Sequence, residues 1–224
     1  MALWQYLGAG SWTTKLLVHL NWDATDSSWN WNNWTPTNII WTWWIVWSWS
    51  ASFNGSNSYI KTSSINIVWW QPNISVVCWL YINSSWEYHF IWQDNISTRI
   101  WQIQTTTNNW LNAVVFTDNS NSSYSSTINN VLTTNKRYCI WFTRNSNWNI
   151  IIYVNWVPAT LAWSNTLSWN INNASLGLEI WRRDYWPQPF YLNWKLDEVI
   201  IENRLWSATE FKKHYTASKW RFIL

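Results

Sequence analysis

Glycine is almost missing: the 224 residues contain 4, where an average share of about 7% would supply about fifteen. Charge is sparse too. Asp, Glu, Lys and Arg make up 11% of the chain and the net charge is +3. The basic residues gather no further than the pairs Arg182-Arg183 and Lys212-Lys213, which excludes the footprint of a nucleic-acid-binding surface. No apolar run approaches the ~18 residues of a membrane helix. The opening Met1-Ala-Leu-Trp-Gln-Tyr6 lacks the basic start and apolar stretch of a signal peptide. An extracellular or virion-associated location, the expected one, would then need another export route. Only two cysteines occur, Cys78 and Cys139. They read as buried thiols, and whether they pair depends on their strands being neighbours, which spacing does not decide.

What the chain has in excess is tryptophan, 28 residues. Seven directly follow Asn: Trp22, Trp31, Trp34, Trp110, Trp148, Trp156 and Trp194. Asn-Gly is the strongest short hairpin signal, because both central residues of a type I′ turn need positive φ. Asn155-Trp156 stands where Asn-Gly belongs, between Ile150–Val154 and Val157. A non-glycine residue held left-handed costs about 1–2 kcal/mol, and several such sites would consume much of a domain's stability of about 5–15 kcal/mol. The expectation is that most of these tryptophans are glycines. Some bacteria read the codon UGA as glycine, while a common alternative code reads it as tryptophan. The rival reading is a tryptophan-rich surface that stacks on sugar rings or rests at a membrane interface.

Asn, Ser, Thr, Ile and Val favour strands and turns over helices. In Asn73–Ile82, positions Ile74, Val76, Cys78, Leu80 and Ile82 fall on one face by period-2 alternation. Further strands are expected near 15–20, 52–60, 87–93, 97–104, 111–117, 137–144, 149–154, 176–182 and 195–202. The region 21–49 reads as loop with one apolar piece at Ile39-Ile40. Ser207-Ala-Thr-Glu210 has capping-box form and predicts one short helix to about Tyr215. The fold expected is an all-β antiparallel sandwich with a C-terminal helix, spanning 13–224 after an irregular arm at 1–12.

Four segments resemble the laminin-G-like, concanavalin A-like lectin and glucanase superfamily. With glycine at the tryptophan positions, Leu17–Trp34 is similar to its opening strand and "D-S-S-G-N-G-N-x-G" loop. Ser52–Ile60 is similar to "F-N-G-x-x-S-Y", and Ile74–Tyr81 to "T-I-S-x-W-V", which makes Trp79 a genuine tryptophan. Tyr191–Glu210 is similar to "F-x-G-x-I-D-E-V-x-I-Y-N-R-x-L-S-x-x-E", where a large residue such as Trp206 also fits. Ile150–Trp156 resembles its "L-Y-V-N-G" hairpin. The resemblance implies a jelly-roll sandwich. It leaves function open, since the superfamily holds lectins, adhesion modules and hydrolases.

Glucanases of this kind place carboxylates on one strand about 5 Å apart. Here only Glu198 and Glu202 share a strand face, about 13 Å apart at ~3.3 Å per residue, which disfavours a glycoside hydrolase. His19, His89 and His214 have no spacing suited to a metal site or triad, and read as ordinary strand or surface residues. The resemblance implies calcium held by loop oxygens, with Asp26, Asn54 and Asp197 as candidate ligands. The alternative is an Asx-turn at Asp26 and a buried hydrogen-bonded carboxylate at Asp197. For ligand binding, Arg182, Arg183, Asp184 and Tyr185 share one connection before Pro187. The function expected is a non-catalytic carbohydrate-binding or adhesion module that meets a glycan or protein surface. The alternative is a structural or assembly protein of a phage or surface appendage.

Overall fold

Strand-forming residues in runs of two to nine, broken by Asn- and Ser-rich turns, give the chain its architecture. The computed structural model describes residues 14–219, apart from 21, 29, 44–48, 66–72, 84–87, 95–98, 107–109, 117–121, 129, 146, 148, 166–175, 181, 184–189 and 192. The first strands are β1 (Thr14–Val18), β2 (Trp34–Thr37), β3 (Ile40–Trp43), β4 (Trp49–Ser52), β5 (Tyr59–Ile65) and β6 (Ile74–Ile82). They are followed by β7 (Tyr88–Asp94), β8 (Arg99–Thr105), β9 (Leu111–Phe116), β10 (Ser122–Thr127), β11 (Lys136–Arg144) and β12 (Ile150–Val154). The last are β13 (Val157–Pro158), β14 (Leu161–Asn165), β15 (Leu176–Ile180), β16 (Arg182–Arg183), β17 (Phe190–Tyr191) and β18 (Trp194–Glu202), before helix α1 (Ala208–Ser218). The expected arm at 1–12 lies outside the described residues.

Two eight-stranded sheets form the sandwich. One runs β13-β12-β11-β6-β18-β4-β3, with β1 also paired to β18; the other runs β14-β10-β9-β8-β7-β15-β5-β2. Every pairing is antiparallel. The alternation read in β6 decides where the core lies. Ile74, Val76, Cys78, Leu80 and Ile82 enter one apolar cluster with Ile91, Ile103, Val115 and Leu178 of the facing sheet. The opposite face, Val77 and Trp79, joins a second cluster with Cys139, Trp141, Ile200, Trp206 and Phe211. That second core sits under α1, so the central strands of the first sheet, β6, β11 and β18, are buried on both faces. The β6 burial pattern is accordingly buried at eight of nine positions, with Tyr81 intermediate.

Cys78 and Cys139 lie on adjacent strands, since Cys139 pairs with Trp79 and Cys78 with Ile140. They occupy opposite faces, Cys78 in the inter-sheet core and Cys139 in the core under the helix. Both are free thiols. Burial pushes both well above their ordinary value; for Cys139, the nearby Cys78 and Glu198 add to the effect.

The capping box of α1 forms as read. Ser207 Oγ accepts from the Glu210 N–H at 3.2 Å, and Glu210 Oε2 accepts from the Ser207 N–H at 2.8 Å. Burial would raise the Glu210 carboxyl. The Ser207 backbone bond and the Arg204 guanidinium outweigh it and hold the group below its usual range. A lowered folded-state pKa gives stability that is present above the unfolded value and lost as pH falls through the folded one. Ser207→Ala is therefore expected to cost about 1 kcal/mol at neutral pH. The melting-temperature gap between wild type and Glu210→Gln should close as pH drops below the carboxylate range; a gap that stays constant in thermal melts would contradict the assignment.

Candidate functional site

The expected binding connection forms a structure of its own. Arg182-Arg183 and Phe190-Tyr191 pair as a two-stranded ribbon separate from both sheets, with Arg182 opposite Tyr191 and Arg183 opposite Phe190. The ribbon lies beside β7. Asp184 and Tyr185 fall between its strands, outside the described residues. The fold thus places the two arginines on a two-stranded ribbon, at register positions opposite two aromatic residues.

Asp26 anchors the first loop. It is buried, and its four lone-pair sites are all taken. Oδ1 accepts from the N–H groups of Leu17 at 3.0 Å and Ser28 at 2.8 Å, and Oδ2 from Ser28 Oγ at 2.7 Å and the Asn32 N–H at 2.8 Å. Asn54 organises the β4–β5 turn in the same way. Its Oδ1 accepts from the N–H groups of Ser56, Asn57 and Ser58 at 2.9, 3.0 and 3.2 Å. Asp197 is fully buried, and its Oδ1 accepts from the Glu198 N–H at 2.7 Å. The three candidate calcium ligands therefore sit on a loop, a turn and a strand, and the Asp26 and Asn54 oxygens already accept from N–H and hydroxyl groups of the chain. A cation would have to displace those donors at Asp26 and Asn54. Among the described residues no group of three or more His, Cys, Asp or Glu is placed to hold a metal.

Sequence spacing missed the most concentrated set of titratable groups. Asp197 pairs with Trp79 and Ile200 with Val77, so β18 carries one extra residue there. Glu198 takes up this bulge at φ 49°. Its fully buried carboxylate lies between two imidazoles, His19 Nδ1 at 3.5 Å and His214 Nε2 at 3.7 Å. Three elements meet there: the end of β1, the bulge in β18, and α1. His214 is thus a buried residue, where a strand or surface histidine was expected; the capped helix sets it over the sheet. The signals available in sequence were the Asp197-Glu198 pair and a histidine four residues after the capping Glu210, but nothing in the spacing joins them.

Glu202, the other carboxylate on this strand face, is also buried and engaged. It accepts from Thr14 Oγ1 at 3.0 Å and Trp206 Nε1 at 2.7 Å, and it pairs with Arg204. Glu198 and Glu202 thus reach the segments at both ends of the domain, an arrangement suited to binding β1 and α1 to the sheet. His89 lies in β7.

No family model and no curated protein matches this chain. Solved structures do. The binding domain of Paraclostridial Mosquitocidal Protein 1 matches with a TM-score of 0.70 at 15% identity, over 92% of this chain and 52% of that one. The botulinum neurotoxin serotype D/C binding domain matches with a TM-score of 0.69 at 12% identity, over 92% and 52%. A botulinum neurotoxin type C structure, whose cell entry is described as dependent upon interaction with two ganglioside molecules, matches at 0.65 and 10% over 92% and 51%. At these identities the likeness establishes the fold: an antiparallel β-sandwich with one C-terminal helix, shared with toxin receptor-binding domains. The chain spans about half the length of those structures. Among the described residues no helix is long and apolar enough to cross a membrane.

Proposed function

We propose that this chain is a non-catalytic recognition module that binds glycans, a lectin-like sandwich whose sequence pattern is of the laminin-G type. The observation that carries the reading is the fold shared with receptor-binding domains, one of which is described as interacting with gangliosides. The reading puts the ligand at the two-stranded ribbon that carries Arg182 and Arg183. A rigid sandwich needs no induced change to present such a ribbon, and arginine with aromatic neighbours suits acidic or hydroxyl-rich sugars. The engagement of Glu198 and Glu202 in structural contacts supports a role without catalysis.

The test is a glycan array that includes ganglioside sugars, probed with the full chain. Binding is expected, and Arg182→Ala with Arg183→Ala should weaken it about tenfold or more, since charge-assisted bonds contribute roughly 1.5–3 kcal/mol each. An array without hits would remove the glycan reading. Hits untouched by the double substitution would move the site off the ribbon.

A further inference from the structure

Nine non-glycine residues among those described adopt a left-handed φ, and they divide unevenly. Four are Asn, which tolerates the region; three are tryptophan: Trp22 at 82°, Trp31 at 55° and Trp156 at 68°. Gly55, one of the chain's few glycines, has 73° in a turn of its own. A bulky aromatic residue lacks the short polar side chain by which Asn hydrogen-bonds locally in this conformation. Yet tryptophan is second only to Asn there.

The surroundings point the same way. Each of the three follows an Asn, and each is exposed: 59% for Trp22, 77% for Trp31 and 40% for Trp156. Asn155 at 50° and Trp156 at 68° form the two-residue turn between paired Val154 and Val157. Positive φ at both centres is the type I′ hairpin, which Asn-Gly fits. Around Trp22 the rings are crowded. Its ring centroid lies 3.5 Å from that of Trp49, tilted by 36°, and Trp43 lies 4.5 Å from Trp49. Aromatic pairs settle at about 4.5–7 Å. Trp34 and Trp194 also follow Asn, but both lie in the inter-sheet core without a left-handed φ. The conformational argument therefore selects positions 22, 31 and 156 and stops there.

We propose that these three positions are glycine in the protein as its own ribosomes make it, the gene's UGA codons being read as glycine. Trp22 then drops out of the indole cluster, which leaves the Trp43–Trp49 pair in place. The decisive measurement is the codon at each position, together with the mass of the corresponding peptides from the native source. UGA with glycine-mass peptides is expected; UGG, or tryptophan-mass peptides, overturns the proposal. The full chain made with Trp22→Gly, Trp31→Gly and Trp156→Gly supplies a second readout. Its melting temperature should rise by about 2–4 °C per position relative to the tryptophan form, and a fall would overturn the proposal as well.

Discussion

Asp26→Ala is expected to destabilise the domain by about 3–5 kcal/mol. The substitution removes one buried acceptor group and strands the N–H groups of Leu17, Ser28 and Asn32, which Asp26 now satisfies. A buried donor left without a partner costs about 1–3 kcal/mol, and Asn32 belongs at the low end because its bond is only partly buried. Chemical denaturation reads the loss directly. Asp26→Asn, which keeps one carbonyl oxygen, should recover part of it; a change below about 1 kcal/mol for alanine would show that the loop does not depend on this carboxylate. The same proteins test the ion. If calcium binds, wild type should melt higher with calcium than with chelator and Asp26→Ala should not. Equal melts for wild type would remove calcium from the domain.

Phe211→Ala is expected to cost about 3–5 kcal/mol, the range for deleting a buried ring. Phe211 is fully buried in the core beneath α1. Its ring stacks on Trp141 at 4.2 Å and leans on Tyr153 at 6.0 Å. Because the helix meets the sheet chiefly through this cluster, the loss should be local as well as global. Amide hydrogen exchange in α1 should accelerate more than exchange in β8 or β9, which pack in the other core. Uniform acceleration would mean that helix and sandwich unfold as one unit.

Much of the fold was legible because runs of Ile, Val and Leu between Asn- and Ser-rich turns mark most of the strands. The alternation in β6 grouped the residues that enter the inter-sheet core, though its other face is buried too, and the capping box located the helix start. β10 was missed because Ser122-Ser-Tyr-Ser-Ser-Thr127 lacks the apolar alternation that marks a strand; its Ser125 and Thr127 are nonetheless buried, with Ser125 Oγ donating to the Ile150 carbonyl at 2.9 Å. β2 and β3 lie inside the stretch read as loop, where Pro36 and the dense Asn and Trp hid two short edge strands. The candidate site was less legible. The arginine pair stood out as the rare charge in a polar chain, but its folding back onto Phe190-Tyr191 depends on pairing across six intervening residues. The Glu198 cluster was invisible because His19 and His214 lie at opposite ends of the chain and meet only once β1 and α1 have docked on β18.

The placement of the two thiols has a consequence for where the protein can be made. A sheet one residue thick keeps Cys78 and Cys139 on opposite sides of it, so oxidants have no cystine to form within the domain and reductants none to break. The sandwich should reach the same native state in a reducing cytosol as in an oxidising exterior.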